Sequence, residues 1–232
     1  MEGEGSPEIF ERINGVIDSK YDGNPNLKKL QLIKGGDGLQ RIVGSDPLIL
    51  PIVAEVIYPR YRLARPEEVE TTLQDGDALH IRGNHYVDYG LVLDFSGKNH
   101  DLAVETFRRL PKTLRDFEKL PAVMIGYGLK KSKKGNYGVM PVYQKGTKLR
   151  TAKIFSSSSG NFDANNKHLI VDGTPSRLEG GKRRLYNSTQ SEPSLDSLGL
   201  SRLCLGGNLD LGSYCGNLAS SDEDGRVVSV CA

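Results

Sequence analysis

No apolar run in this chain is long enough to suggest a membrane span. The longest, Pro47 to Tyr58 (PLILPIVAEVIY), falls well short of the roughly 20 residues a spanning helix needs and also carries Glu55. The opening MEGEGSPE is acidic and has neither the basic nor the apolar region of a secretory leader. Glycine stands at position 3 rather than 2, which excludes the myristoylation pattern. A cytoplasmic protein without a membrane partner is therefore expected. Cysteine is scarce: Cys204, Cys215 and Cys231 are odd in number, cluster towards the C-terminus and include no CxxC pair. They predict reduced thiols rather than a disulfide framework or a zinc site. The phosphate-cradling pattern GxxxxGK[ST] and the nucleophile element GxSxG are both absent, and no repeat of fixed period is visible. No cofactor and no metal are expected.

What the chain does have is adequate core-forming material, with 232 residues of which 37% are hydrophobic, enough for one large domain or two small ones. The spacing of Ile9, Phe10, Ile13, Val16 and Ile17 predicts a helix over about Pro7 to Lys20, capped by Ser6 and ended by Asp22-Gly23. Two short apolar runs flanking Gly35-Gly36-Asp37-Gly38 predict a β-hairpin, which outweighs a phosphate-loop reading of the same glycines. The run after Asp46 reads as a buried helix, with Pro51 implying a later start or a kink. Pro66 to Gln74 predicts a third, more exposed helix.

The period then changes from 3.6 to 2. Ala78 to Arg82 and His85 to Phe95 predict strands, the second with Val87, Tyr89, Leu91, Leu93 and Phe95 on a core face and Asp88, Gly90, Val92 and Asp94 on the other. Helices are expected from about Asn99 to Leu110 and around Leu114 to Lys119. VMIGYGL and YGVMPVYQ predict a strand pair around the basic tip KKSKKGN, and Leu149 to Phe155 continues the sheet. Ser156 to Asn166 reads as loop, with no base to activate its serines, and short strands fill the remainder. The expected class is α+β: a helix-rich N-terminal half packed on a mainly antiparallel sheet and a β-rich C-terminal half, with a boundary near residue 120 separating 1–120 from 121–232.

Charge is unevenly placed. Between Lys130 and Arg184 thirteen basic residues face three acidic ones, a net of +10 in a chain whose total is +2, so the rest carries −8. Such a segment attracts polyanions. Lys130, Lys131, Lys133, Lys134, Lys145, Lys148, Arg150, Lys153, Lys182, Arg183 and Arg184 are the candidate phosphate contacts, and Tyr137, within the same window, is a candidate stacking ring. The first functional expectation is a non-catalytic protein whose basic β-region engages nucleic acid or another polyanion. A second is a hydrolase-like enzyme built on His80, His85 and Asp88, where a histidine from one strand would meet the carboxylate of the next. A third is a scaffold in which the acidic flanks of one copy meet the basic window of another, giving a homo-oligomer.

Overall fold

The sequence periodicities become helices and one large sheet in a computed structural model that describes residues 6–64, 68, 85–151, 168–172, 182–187, 192–205, 211–213 and 216–232. The expected helix Pro66 to Gln74, the strand Ala78 to Arg82, and the loop Ser156 to Asn166 lie outside the described residues, apart from Glu68.

Helix α1 (Ser6–Tyr21) buries Ile13 and Ile17, with Ile9, Phe10 and Val16 partly covered. Asp22 and Gly23 end it, both at positive φ, and Gly23 N–H donates to the Ile17 carbonyl at 3.1 Å, satisfying one of the carbonyls a helix end leaves open. Strands β1 (Gln31–Lys34) and β2 (Gln40–Val43) pair antiparallel across the glycine turn. Helix α2 (Leu50–Ile57) starts late enough to put Pro51 in its first turn, where a missing N–H costs nothing. Asp46 prepares that start: its Oδ1 accepts from the N–H groups of Leu48 (2.9 Å) and Ile49 (3.0 Å). Strands β3 (Tyr61–Leu63) and β4 (Tyr86–Asp94) precede helix α3 (His100–Arg109), and two single 3-10 turns, Lys112–Leu114 and Phe117–Lys119, stand where a short helix was expected.

The remaining strands are β5 (Ala122–Ile125), β6 (Gly128–Lys131), β7 (Val139–Val142), β8 (Lys148–Thr151), β9 (His168–Asp172), β10 (Lys182–Asn187), β11 (Gly199–Leu205), β12 (Leu211–Ser213), β13 (Gly225–Arg226) and β14 (Ser229–Cys231). The main sheet runs β8-β5-β4-β11-β12-β10-β9, with β13 added to β4. Among the described residues, only β10–β12 and β4–β13 are parallel. β4 is central: β11 pairs along its length, while β5 takes Leu91 to Leu93 and β13 takes Tyr86 and Val87. β4 is accordingly buried on both faces from Val87 to Asp94, where alternation had suggested one polar face. Gly90 lets β5 approach, since a Cβ there would stand 2.4 Å from the Met124 carbonyl oxygen.

The class is thus mixed α and β with a mainly antiparallel sheet, although β1 to β4 lie among the helices rather than after them. A single core cluster extends from Ile13 and Ile17 through Ile52 and Val53 to Leu91, Leu93, Leu200 and Val227. The expected boundary near residue 120 falls between β4 and β5, two strands hydrogen-bonded to each other.

Candidate functional site

The basic hairpin β6–β7 pairs in the register Lys131 with Val139 and Lys130 with Met140, leaving residues 132–138 as its tip. That tip is fastened at several points. Gly135, at φ +67°, packs so tightly on α3 that a Cβ would sit 2.7 Å from Leu102 Cγ. Asn24 Nδ2 donates to the Tyr137 carbonyl at 2.7 Å, and Lys131 Nζ bridges to Asp22 at 2.7 Å. The lysines are therefore displayed on a turn whose backbone is anchored to both α3 and the end of α1. Lys131, Lys133 and Lys134 are exposed, and Lys133 and Lys134 make no ion pair among the described residues. Glu105 on α3 feels this charge: its hydrogen bond to Arg109, and then the nearby Lys130 and Lys134, hold its carboxyl below the usual range.

The strand order divides the rest of the basic window. Lys145 and Lys148 are exposed at the β7–β8 turn and the start of β8, and Arg150 lies on β8, one edge of the main sheet. Lys182, Arg183 and Arg184 lie on β10, five strands away. At about 4.8 Å per strand that is roughly 24 Å, so the twelve expected contacts do not form one patch. Lys153 lies outside the described residues. Three cations not foreseen are exposed at and just after the end of α3, Arg108, Arg109 and Lys112, and Arg109 pairs with Glu105, the carboxylate that also feels Lys130 and Lys134. Their signal, RRLPK, is plain in the sequence but lies outside the window of highest net charge.

Tyr137 does not serve as a stacking ring. Its ring packs on the core, its hydroxyl donates towards Asn99 Oδ1 (3.2 Å) or Gly216 O (3.1 Å), and the same oxygen accepts from Leu218 N–H (3.1 Å). Tyr127 is likewise buried, with its hydroxyl donating to the Pro47 carbonyl at 2.6 Å. Aromatic rings near the tip hold the fold together rather than face solvent.

Asp88 also departs from expectation. Alternation placed it beside Asp94 on an outer face, but the register with β11 slips by one: Leu203 faces Gly90 and Cys204 faces Asp88, leaving Tyr89 as a bulge. The slip reverses the alternation, and Asp88 turns to the side of Arg202. Arg202 Nε donates to Asp88 Oδ1 at 2.9 Å and Nη2 to Oδ2 at 2.6 Å, with the two side chains only 6% and 0% exposed. The guanidinium also donates to the Ser220 carbonyl at 2.8 Å and lies 4.9 Å over the Tyr86 ring. Burial works against its charge, but the Asp88 carboxylate outweighs burial and holds the Arg202 pKa above its usual range. A carboxylate with both oxygens so bonded is no general base. His85 lies elsewhere, 3.7 Å from Asp224 through Nδ1 and 3.3 Å from Arg226 Nη2 through Nε2, and His80 is outside the described residues. Among the described residues, Asp88 and His85 are not brought together as the expected hydrolase group requires. Asn99 and His100, at the start of α3, bond the carbonyls of Leu198, Leu200 and Gly216.

Beside the ion pair stands Asp46, fully buried, with Oδ2 lacking a hydrogen-bond partner among the described residues. Burial, and then the charge of Asp88, push its carboxyl up to about 7. A cavity of about 190 Å³ adjoins Asp88, lined mostly by apolar side chains such as Leu50, Ala54, Leu63 and Val227. Among the described residues no cluster of three or more metal-ligating side chains is present, and no helix is long and apolar enough to cross a membrane. No protein-family model, curated protein or solved structure matches the chain.

Proposed function

We propose that this chain is a non-catalytic binding protein that takes nucleic acid, or another polyanion, on the surface formed by the β6–β7 tip and the end of α3. The observation that carries this reading is the anchored tip: Lys133 and Lys134 are exposed, with no ion pair among the described residues, on a turn fixed by Gly135 against Leu102 and by Asn24. Holding the cations in place lowers the ordering cost of binding a polyanion. Arg109 stands near Lys130 and Lys134 through Glu105, and Arg108 and Lys112 are exposed next to it in sequence. Hydrolysis has no comparable support, because Asp88 is closed off by Arg202. A cytoplasmic location fits this reading.

The test is a salt titration of oligonucleotide binding to the intact protein and to a Lys131→Glu, Lys133→Glu, Lys134→Glu variant. Three lost phosphate contacts reduce the slope of log K against log salt by about 2 for a single strand, at roughly 0.7 per contact. An unchanged slope, or no association at low salt, refutes the reading.

A further inference from the structure

Tyr58 is the one aromatic side chain among the described residues that is exposed rather than buried or half-buried, at 69%. Its exposure follows from the end of α2: the helix stops at Ile57, and Tyr58 turns extended (φ −69°, ψ 145°), which takes its ring off the buried stripe of Val53, Val56 and Ile57. Pro59 and Arg60 follow, both exposed. The Arg60 guanidinium lies over the Tyr61 ring, 5.3 Å from its centroid, and makes no ion pair among the described residues. The backbone beneath is pinned, because Tyr61 pairs with Cys231 in the β3–β14 ladder and the Arg60 carbonyl accepts from Ala232 N–H at 3.2 Å.

An open tyrosine face and a guanidinium plane therefore occur within four consecutive residues on a fixed backbone. Both are surfaces on which nucleobases stack, and the free edge of the guanidinium can take a phosphate as a bidentate donor. This corner's helix and the root of the basic hairpin are both tied to the end of α1. Glu55, one helical turn before Tyr58, is bridged to Lys20, and Asp22, just past Lys20, is bridged to Lys131. The end of α1 thus joins this corner to the root of β6. The hairpin offers charge and no open ring; the corner offers the open ring of Tyr58 and, in Arg60, a cation without an ion pair among the described residues.

We infer that Tyr58, Arg60 and Tyr61 form a stacking platform for unpaired bases, so that the polyanion this surface takes is single-stranded nucleic acid. The inference rests on the binding reading above and specifies its substrate. Lysines of the tip supply the salt-dependent part of the affinity, and the platform supplies a part that salt does not screen. A duplex, with its bases stacked inside, cannot use the platform.

Fluorescence anisotropy of a labelled oligothymidine and of a duplex of equal length, each titrated with the intact protein over a range of salt, tests this. The single strand binds at least tenfold tighter than the duplex. Tyr58→Ala weakens single-strand binding about tenfold with an unchanged salt slope and leaves duplex binding alone, while Tyr58→Phe restores the affinity. Arg60→Ala lowers both the affinity and the slope. Equal affinity for the two oligonucleotides, or a Tyr58→Ala variant within twofold of the parent, overturns the platform. If the triple lysine reversal then still weakens binding, the broader reading stands without it. If neither oligonucleotide binds at low salt, both fall. Tyr58 is mostly exposed and stands outside the core cluster, and circular dichroism verifies that its variants keep the fold.

Discussion

Replacing Asp46 by Asn is the most informative perturbation of the interior. Asp46 is fully buried, its Oδ1 accepts two backbone N–H bonds, and its Oδ2 has no partner among the described residues. Burial, reinforced by the neighbouring Asp88 charge, raises its pKa from an ordinary 3.8 to about 7. Between these values the folded chain keeps a proton that the unfolded chain has lost. Stability from this group is therefore complete below about pH 4 and declines as pH rises to about 7, above which it changes no further. At 1.36 kcal/mol per pKa unit the shift amounts to about 4 kcal/mol across the window, of which about 3 lies between pH 5 and 8. Asn keeps the Oδ1 acceptor and cannot ionise, so Asp46→Asn abolishes this slope. Its buried amide N–H groups cost about 1–3 kcal/mol at every pH, leaving the variant level with the parent or less stable at pH 5 and ahead of it at pH 8. Urea unfolding at pH 5, 6, 7 and 8 reads the difference directly. Parallel pH profiles for the two proteins refute the reasoning.

Two further substitutions probe the same structure. Arg202→Met strands the Asp88 carboxylate in the interior and lowers stability by about 3–5 kcal/mol in urea unfolding; adding Asp88→Asn recovers part of it, and a loss under about 1 kcal/mol contradicts the pairing. Gly135→Val places a β-branched residue at φ +67° against Leu102. It costs about 1–3 kcal/mol by strain and loosens the tip, seen as faster amide exchange at residues 132–138, and unchanged exchange counts against the anchored tip.

The elements most legible in the sequence are those whose contacts are local. The stripe of Ile13 and Ile17, the turn at Asp22-Gly23 and the β1–β2 hairpin each rest on neighbours a few residues away, whereas the expected single strand VMIGYGL divides between β5, which pairs with β4 and β8, and β6, which alone pairs with β7. The start of α2 resolves the ambiguity at Pro51 because Asp46 supplies an earlier turn. Where a strand meets distant partners the pattern misleads. Simple alternation placed Asp88 outside, but the bulge opposite Leu203 and Cys204 turns it inward, and its partner Arg202 is 114 residues away. One signal was available: a lone arginine within the apolar strand GLSRLCL needs a buried acid.

For the surface, composition determines that residues 130–184 are cationic, because side-chain charge does not depend on folding. Tertiary structure decides which cations share a face. Strand order carries Lys148 and Arg183 to strands five positions apart, and packing on α3 brings Arg109 near Lys130 and Lys134 through Glu105. It likewise sinks Tyr137 into a hydrogen-bond network and leaves Tyr58, which its sequence neighbours marked as part of an apolar run, open to solvent. Chain-local chemistry sets the charge and the turns; exposure and adjacency come from contacts between segments far apart in sequence, which no local pattern encodes.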